Sequence, residues 1–285
     1  MTLALTPAAV GVRPSRTRTF RPAVYLASAY LALMLAWAVA PGVFTSGTPY
    51  DTDIETPLKP PSFEHWFGTD ASGRDIFTRV VYGTQSSLAI GVGATALALI
   101  AAIVLGLAAG LGGRFADGAI SRFIEVVLSI PGLLLALLFI AMFGPGVVTQ
   151  ILAVAIGSAV GYARMVRGQV IAVKDSGYVS AATALGHSRR KIITRHVFPN
   201  AMRPLVVLGT MGVGQSIVWA SSLSFLGLGV APPAPEWGAM LDAGRDFVST
   251  AWWLELFPGL AIVGCTLAVT VVGRYLQQRL EGRAS

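Results

Sequence analysis

Long runs of apolar residues free of charge alternate along the chain with shorter polar segments, and the runs cover residues 23–44, 88–113, 126–143, 147–162, 205–230 and 256–273. A helix needs about 20 apolar residues to cross the hydrocarbon of a bilayer. The pattern therefore predicts an all-α polytopic membrane protein with about six transmembrane helices. Gly144-Pro145-Gly146 separates the third run from the fourth and reads as a tight turn between two helices. The fourth run is short and would need tilt or snorkelling of its flanking arginines to span.

Charge sets the orientation. Basic residues accumulate in the N-terminal tail (Arg13, Arg16, Arg18, Arg21) and between the second and third runs (Arg114, Arg122). They also accumulate between the fourth and fifth (Arg164 to Arg203) and at the C-terminus (Arg274, Arg279, Arg283), leaving only Lys59, Arg74, Arg79 and Arg245 on the other side. Cytoplasmic loops hold the excess of Lys and Arg, so both termini are expected in the cytoplasm. The resulting division is a tail at 1–22, a first span at 23–44 and an extracytoplasmic segment with an amphipathic helix at 45–87. A five-helix core follows at 88–273, with a cytoplasmic loop at 163–204 inside it, and a second tail at 274–285.

Composition agrees, with 54% hydrophobic and 12% charged residues against about 25% charged in a soluble domain. The net charge of +7 is scattered over short loops beside apolar runs, which marks topology anchors and the lipid surface rather than a nucleic-acid footprint. The single cysteine, Cys265, excludes an intramolecular disulfide. Ala38-Val39-Ala40 has the look of a signal-peptidase site, but the apolar run before it is long and Pro41 follows, so an uncleaved first helix is expected.

The runs lack ionisable groups at their centres, and all three histidines (His65, His187, His196) fall outside them. A charge at the bilayer centre costs at least about 2.5–3.5 kcal/mol and is kept where function needs it. No phosphate loop and no paired-histidine zinc helix occurs. No catalytic residue, cofactor or metal site is therefore expected, and uphill transport would draw its energy from another subunit. Gly106–Gly110 and Gly157–Gly161 are G-x-x-x-G spacings, read here as close packing within the chain. In the fifth run Gln215, Trp219 and Ser222 share one face, with Ser216, Ser221 and Ser224 nearby. Such a face could line a translocation path or make interhelical hydrogen bonds, and the residues alone leave both readings open.

The polar segment 178–200, YVSAATALGHSRRKIITRHVFPN, is more punctuated than a connection requires. Val179, Ala182 and Leu185 define one face of a short helix, and Gly186 suits the left-handed position that ends it. Ser188 can cap a second helix whose Ile192, Ile193 and Val197 share a side, and Pro199 is expected to stop it. The product is a helix–glycine–helix elbow with Arg189, Arg190 and Lys191 on the opposite side. An amphipathic hairpin on anionic lipid is the competing reading.

Two stretches resemble a known family. Ala181, Ala182, Gly186 and Pro199 match the cytoplasmic loop of bacterial ABC importer permeases, with Ser180 where that pattern has Glu and Phe198 where it often has Leu. Phe67, Gly68, Thr69, Asp70, Gly73, Arg74, Asp75, Arg79, Gly83, Ser87 and Leu88 are similar to the segment before the second span of C-type permeases from dipeptide, oligopeptide and nickel importers. Within it, Ser72 and Asp75 read as a capping box, and Ile76, Phe77, Val80 and Val81 as a stripe resting on the outer membrane surface. The resemblance implies the type I importer permease fold in a bacterial inner membrane. It also implies a second homologous permease, two ATP-binding subunits docked on the 178–200 loop, and an extracytoplasmic substrate-binding protein. Peptide uptake is the expected activity. Uptake of nickel or other small conjugates is the alternative within the family, and a self-sufficient channel or carrier the alternative outside it.

Overall fold

The computed structural model describes residues 21–280; the tail arginines Arg13, Arg16, Arg18 and Arg283 lie outside the described residues. Among the described residues the chain is helical throughout, apart from connecting loops and one isolated bridge between Thr69 and Asp75. The helices are α1 (Arg21–Val39), α2 (Ile76–Leu111), α3 (Gly113–Ser129), α4 (Gly132–Phe143) and α5 (Val147–Lys174). They continue with α6 (Gly177–Ala184), α7 (Arg189–Ile192), α8 (Phe198–Leu223), α9 (Trp237–Gly244) and α10 (Trp253–Leu280). Five helical segments are long and apolar enough to cross a membrane, and the bent pair α3–α4 raises the number to six if it counts as one span. With α1 entering from the cytoplasm, the crossings return α10 to the same side.

The run boundaries differ from the pattern in ways that follow from local chemistry. The segment expected as a separate surface helix is continuous with the second span, and α2 runs for 36 residues, about 54 Å. Its N-cap is Asp75, whose side chain accepts from Thr78 N, so the helix starts three residues after the expected cap Ser72. Ile76, Val80 and Val81 do not rest on the membrane surface; they are buried in the bundle. The third span is broken at Ile130-Pro131, where α3 and α4 meet at 87°. Proline there has no N–H for the ladder and biases the residue before it away from helix. The fourth span is not short: α5 continues to Lys174 and takes up the first part of the expected 163–204 loop. Pro199 does not stop a helix either. Residues 189–228 form one apolar helical segment, because a π-turn over Ile193–Val197 widens the ladder just before Pro199, which sits in the first turn of α8.

Three apolar clusters stack along the bundle. The outer one gathers Met34, Ile76, Val80, Ile217, Trp237 and Trp253; the middle one Ile90, Ala94, Ala98, Ile140, Ala153 and Leu223. The inner one joins Ala102, Val160, Val166, Val170 and Leu205 to Val179 and Val197 of the elbow. Both α2 and α8 contribute to all three, and α2, the longer of the two at 36 residues, is the central pillar. It packs most extensively on α5. At Gly106 and Gly110 there is no room for a Cβ beside Val166 and Val170, so small residues let the two backbones approach. Gly157 and Gly161 differ from the packing expected of them: both are exposed, and among the described residues no neighbour lies within 4 Å of a Cβ built there.

Candidate functional site

The elbow expected in the cytoplasm is built by α6, Gly186 and α7. Gly186 has φ +77°, in the left-handed region that glycine enters freely. Its N–H donates to the Thr183 carbonyl at 3.0 Å and the His187 N–H to the Ala182 carbonyl at 3.1 Å. That pair of bonds is the Schellman arrangement, which satisfies the free carbonyls at the end of α6. Ser188 caps α7 by accepting from Lys191 N at 3.4 Å. Val179 is buried against α5 and the start of α8, together with Val197, and Ala182 is buried as well. The rings of His187 and His196 lie nearly parallel across the elbow, 6.2 Å apart.

Leu185 departs from the expectation that it shares the buried face of α6: it is 77% exposed. The cause is geometric, since Leu185 is the C-cap of α6 and the chain turns away at Gly186. Ser180, Ala181, Leu185 and Gly186 together form an exposed surface, and Pro199 is exposed at the start of α8. Arg189 is not simply one of an outward basic row. It donates from Nη2 to the carbonyl of Leu111 at the end of α2, at 3.0 Å.

At the opposite end of the bundle, the 67–79 motif folds a knot between helix ends. Asp70 accepts from the backbone N–H groups of Ser72 and Arg74 at 2.8 and 3.0 Å. Arg74 and Arg79 lie 3.6 and 3.8 Å from its other oxygen. Arg79 is buried and donates to the carbonyls of Pro49 and Pro233, at 3.0 and 3.1 Å. Thr69 accepts from Lys59 N at 2.9 Å, and its carbonyl takes the Trp253 indole N–H at 3.1 Å. Phe67 stacks on Phe257 of α10 with ring centres 3.9 Å apart. Gly68 and Gly73 both have positive φ, +76° and +74°, and Asp75 caps α2 while contacting His65 at 3.0 Å. On the exposed rim, side-chain and then backbone hydrogen bonds from Thr48 hold the Asp51 carboxyl below its usual range. The motif's residues therefore spend their polar groups on each other and on neighbouring backbone.

Gln215 and Ser222 are exposed along one side of α8, and Trp219 is half-buried over Gly132. Ser216 and Ser224 face the other way and are buried, hydrogen-bonded to Thr95 at 3.0 Å and to Gln150 at 2.7 Å. Ser216 and Ser224 thus serve packing, Ser221 is buried beside them, and the three face residues stand apart.

Two groups escaped the sequence reading. Glu236 is buried, caps α9 by accepting from Gly238 N and Ala239 N at 2.9 Å each, and takes the Ser87 hydroxyl at 3.2 Å. Trp237 beside it donates to the Val80 carbonyl at 3.0 Å. The available signal was a carboxylate placed just before a helix-forming stretch. Gln150 is fully buried in α5, and its signal was a lone amide inside an apolar run.

Comparison with known proteins carries the assignment to a family. The model described as the binding-protein-dependent transport system inner membrane component matches residues 102–285. A dipeptide transport system permease protein of Alkalihalophilus pseudofirmus is 41% identical over 244 residues, covering 86% of this chain and 80% of its own. A putative peptide transport system permease protein of Brucella suis is 38% identical over 271 residues, covering 95% and 90%. Among solved structures, an amino acid ABC transporter matches with a TM-score of 0.56 at 19% identity, covering 73% of this chain and 94% of the other. A methionine ABC transporter in inward-facing conformations matches with a TM-score of 0.58 at 17% identity, covering 72% and 97%.

The chain belongs to the binding-protein-dependent transport system inner membrane component family. It is a permease subunit of an ABC importer and a multi-pass protein of the bacterial inner membrane, a family that implies ATPase and binding-protein partners.

Proposed function

We propose that this chain pairs with a second homologous permease, takes two ATP-binding subunits on its cytoplasmic side and an extracytoplasmic binding protein on the other, and imports di- or oligopeptides. ATP hydrolysis belongs to the partner subunits. The observation that carries the reading is the elbow: a stiff glycine turn presents Leu185, an apolar side chain left in water, beside exposed Ser180 and Ala181. An exposed leucine on a rigid support costs solvation unless a partner covers it, and buried apolar anchors dominate protein interfaces. Relatives named for dipeptide, peptide and D,D-dipeptide transport support peptides as the cargo. In proteoliposomes holding the complete complex, uptake of radiolabelled dialanine should require both ATP and the binding protein. Nickel-chelate uptake without peptide uptake would overturn the cargo, and dialanine uptake by this chain alone would overturn the subunit role.

The side of α8 bearing Gln215, Trp219 and Ser222 lines the path. Gln215 and Ser222 are open in the single chain, as a surface completed by a second subunit must be. Gln215→Ala should lower uptake roughly threefold or more, the size of one lost hydrogen bond, with complex assembly unchanged. Trp219→Ala should lose more, because its ring also covers Gly132. Wild-type uptake in both variants would remove this face from the path.

A further inference from the structure

The elbow meets the bundle in two ways. Its apolar side packs into the inner cluster through Val179 and Val197, and α7 runs on through the π-turn into α8. The second connection is a single polar contact to a different helix. Arg189, the first residue of α7, donates to the carbonyl of Leu111, the last residue of α2, across 78 positions of sequence. The last carbonyls of a helix have no partner within it and carry the negative end of its dipole, so a guanidinium there is held by both hydrogen bond and charge.

The junction of α2 and α3 is gripped from three sides. Lys174, closing α5, donates to the Gly110 carbonyl at 3.3 Å. Arg167, about two turns before it on α5, binds Asp117 of α3 through both carboxylate oxygens, with Nη2 to Oδ2 at 2.7 Å. Of the three cations, only Arg189 belongs to the elbow. Its neighbour Arg190 is exposed, and no hydrogen bond or ion pair engages its guanidinium among the described residues. α2 in turn reaches from this end through all three core clusters to the extracytoplasmic knot, where Asp75, Arg79 and Ser87 are fastened.

We propose that Arg189 is a positioning residue that passes movement of the elbow to α2, giving the docked ATPases a second route into the bundle beside α8. The proposal rests on the elbow being the ATPase-docking element. A shift of the elbow acts on α8 through the continuous helix. The Arg189–Leu111 bond makes the inner end of α2 follow, so that the pillar and the path-lining helix move together. Without it, the ATPases stay docked and hydrolyse ATP, but less of each cycle reaches the outer face.

The test uses the complete complex in proteoliposomes with Arg189→Ala, Arg189→Lys and Arg190→Ala. Three quantities are read: copurifying ATPase, stimulation of ATP hydrolysis by the binding protein, and dialanine taken up per ATP. Arg189→Ala should keep the ATPase bound, lose most of the stimulation and lower uptake per ATP about five- to tenfold, the range for one partly solvated charge-assisted bond. Arg189→Lys, which keeps a cationic donor, should recover most of the stimulation. Arg190→Ala should match wild type in all three. Equal losses in Arg189→Ala and Arg190→Ala would assign the effect to general charge and overturn the proposal. So would loss of ATPase copurification in Arg189→Ala, or wild-type stimulation in that variant. The docking reading itself fails separately, through normal copurification in Gly186→Val.

Discussion

Replacing Gly73 by alanine should leave little folded protein in the membrane. Gly73 has φ +74°, and a Cβ built on it would overlap the backbone carbonyl of Asp53. Left-handed backbone alone costs a side-chain-bearing residue about 1–2 kcal/mol. The overlap adds to that, because the obstacle is backbone on a loop held by its own hydrogen bonds, including Asp53 to Glu55 N at 2.9 Å. Moving either strand of the knot would pull Asp70 from Arg74 N and loosen the grip on buried Arg79. A total of roughly 3–5 kcal/mol is expected, in the range of severe single substitutions. Gly113 separates the two causes. It has φ +82° with open space around its Cβ position, so Gly113→Ala should cost only the left-handed strain. Membrane levels and thermal midpoints of the two purified variants in detergent give the comparison. Equal behaviour would show that the knot yields, and that its tight approach contributes nothing.

The bilayer explains why so much of the fold was legible. Every backbone polar group in hydrocarbon must be bonded within its own helix, so each apolar run could be read as a span. The termini of the runs were less legible, because helices do not stop where the lipid stops. α2 begins at Ile76 and α5 ends at Lys174, and in both cases polar helical turns extend beyond the apolar run. Proline was misjudged in both directions. Pro131 breaks a run that looked uniform, whereas Pro199 is absorbed by a π-turn. The glycine turn at Gly186 was readable from local chemistry alone, since its need for positive φ is set by the adjoining helix end. Leu185 was not: spacing places it on the face of Val179 and Ala182, and only the turn of the chain turns it outward. The polar pairs that hold the inner helix ends, Arg189 to Leu111 and Arg167 to Asp117, join residues far apart in sequence. No periodicity reports such pairs.

Gly186→Val should leave the helices inserted and collapse transport. The space around Gly186 is open, with no neighbouring atom close to a built Cβ, so valine meets no clash and the fold survives. What it meets is φ +77°, a conformation that costs a β-branched residue about 1–2 kcal/mol or more. Relief of that strain takes the turn out of the left-handed region. The two Schellman bonds, from Gly186 N and His187 N, are then lost, and α6 swings with Leu185 at its tip. An equilibrium of this size shifts about 5–30-fold, and uptake should fall by that factor. Arg190→Ala removes a charge from the same surface without touching the backbone, and should change uptake little. A loop that merely rested on anionic lipid would reverse this order, because charge would then matter more than the turn.

The most direct measurement is the amount of ATPase that copurifies with Gly186→Val and with Arg190→Ala from the same membranes, alongside uptake by each. Coupling through the elbow predicts that Gly186→Val inserts normally but loses most of its ATPase and its transport, while Arg190→Ala keeps both. Wild-type copurification with Gly186→Val would contradict it.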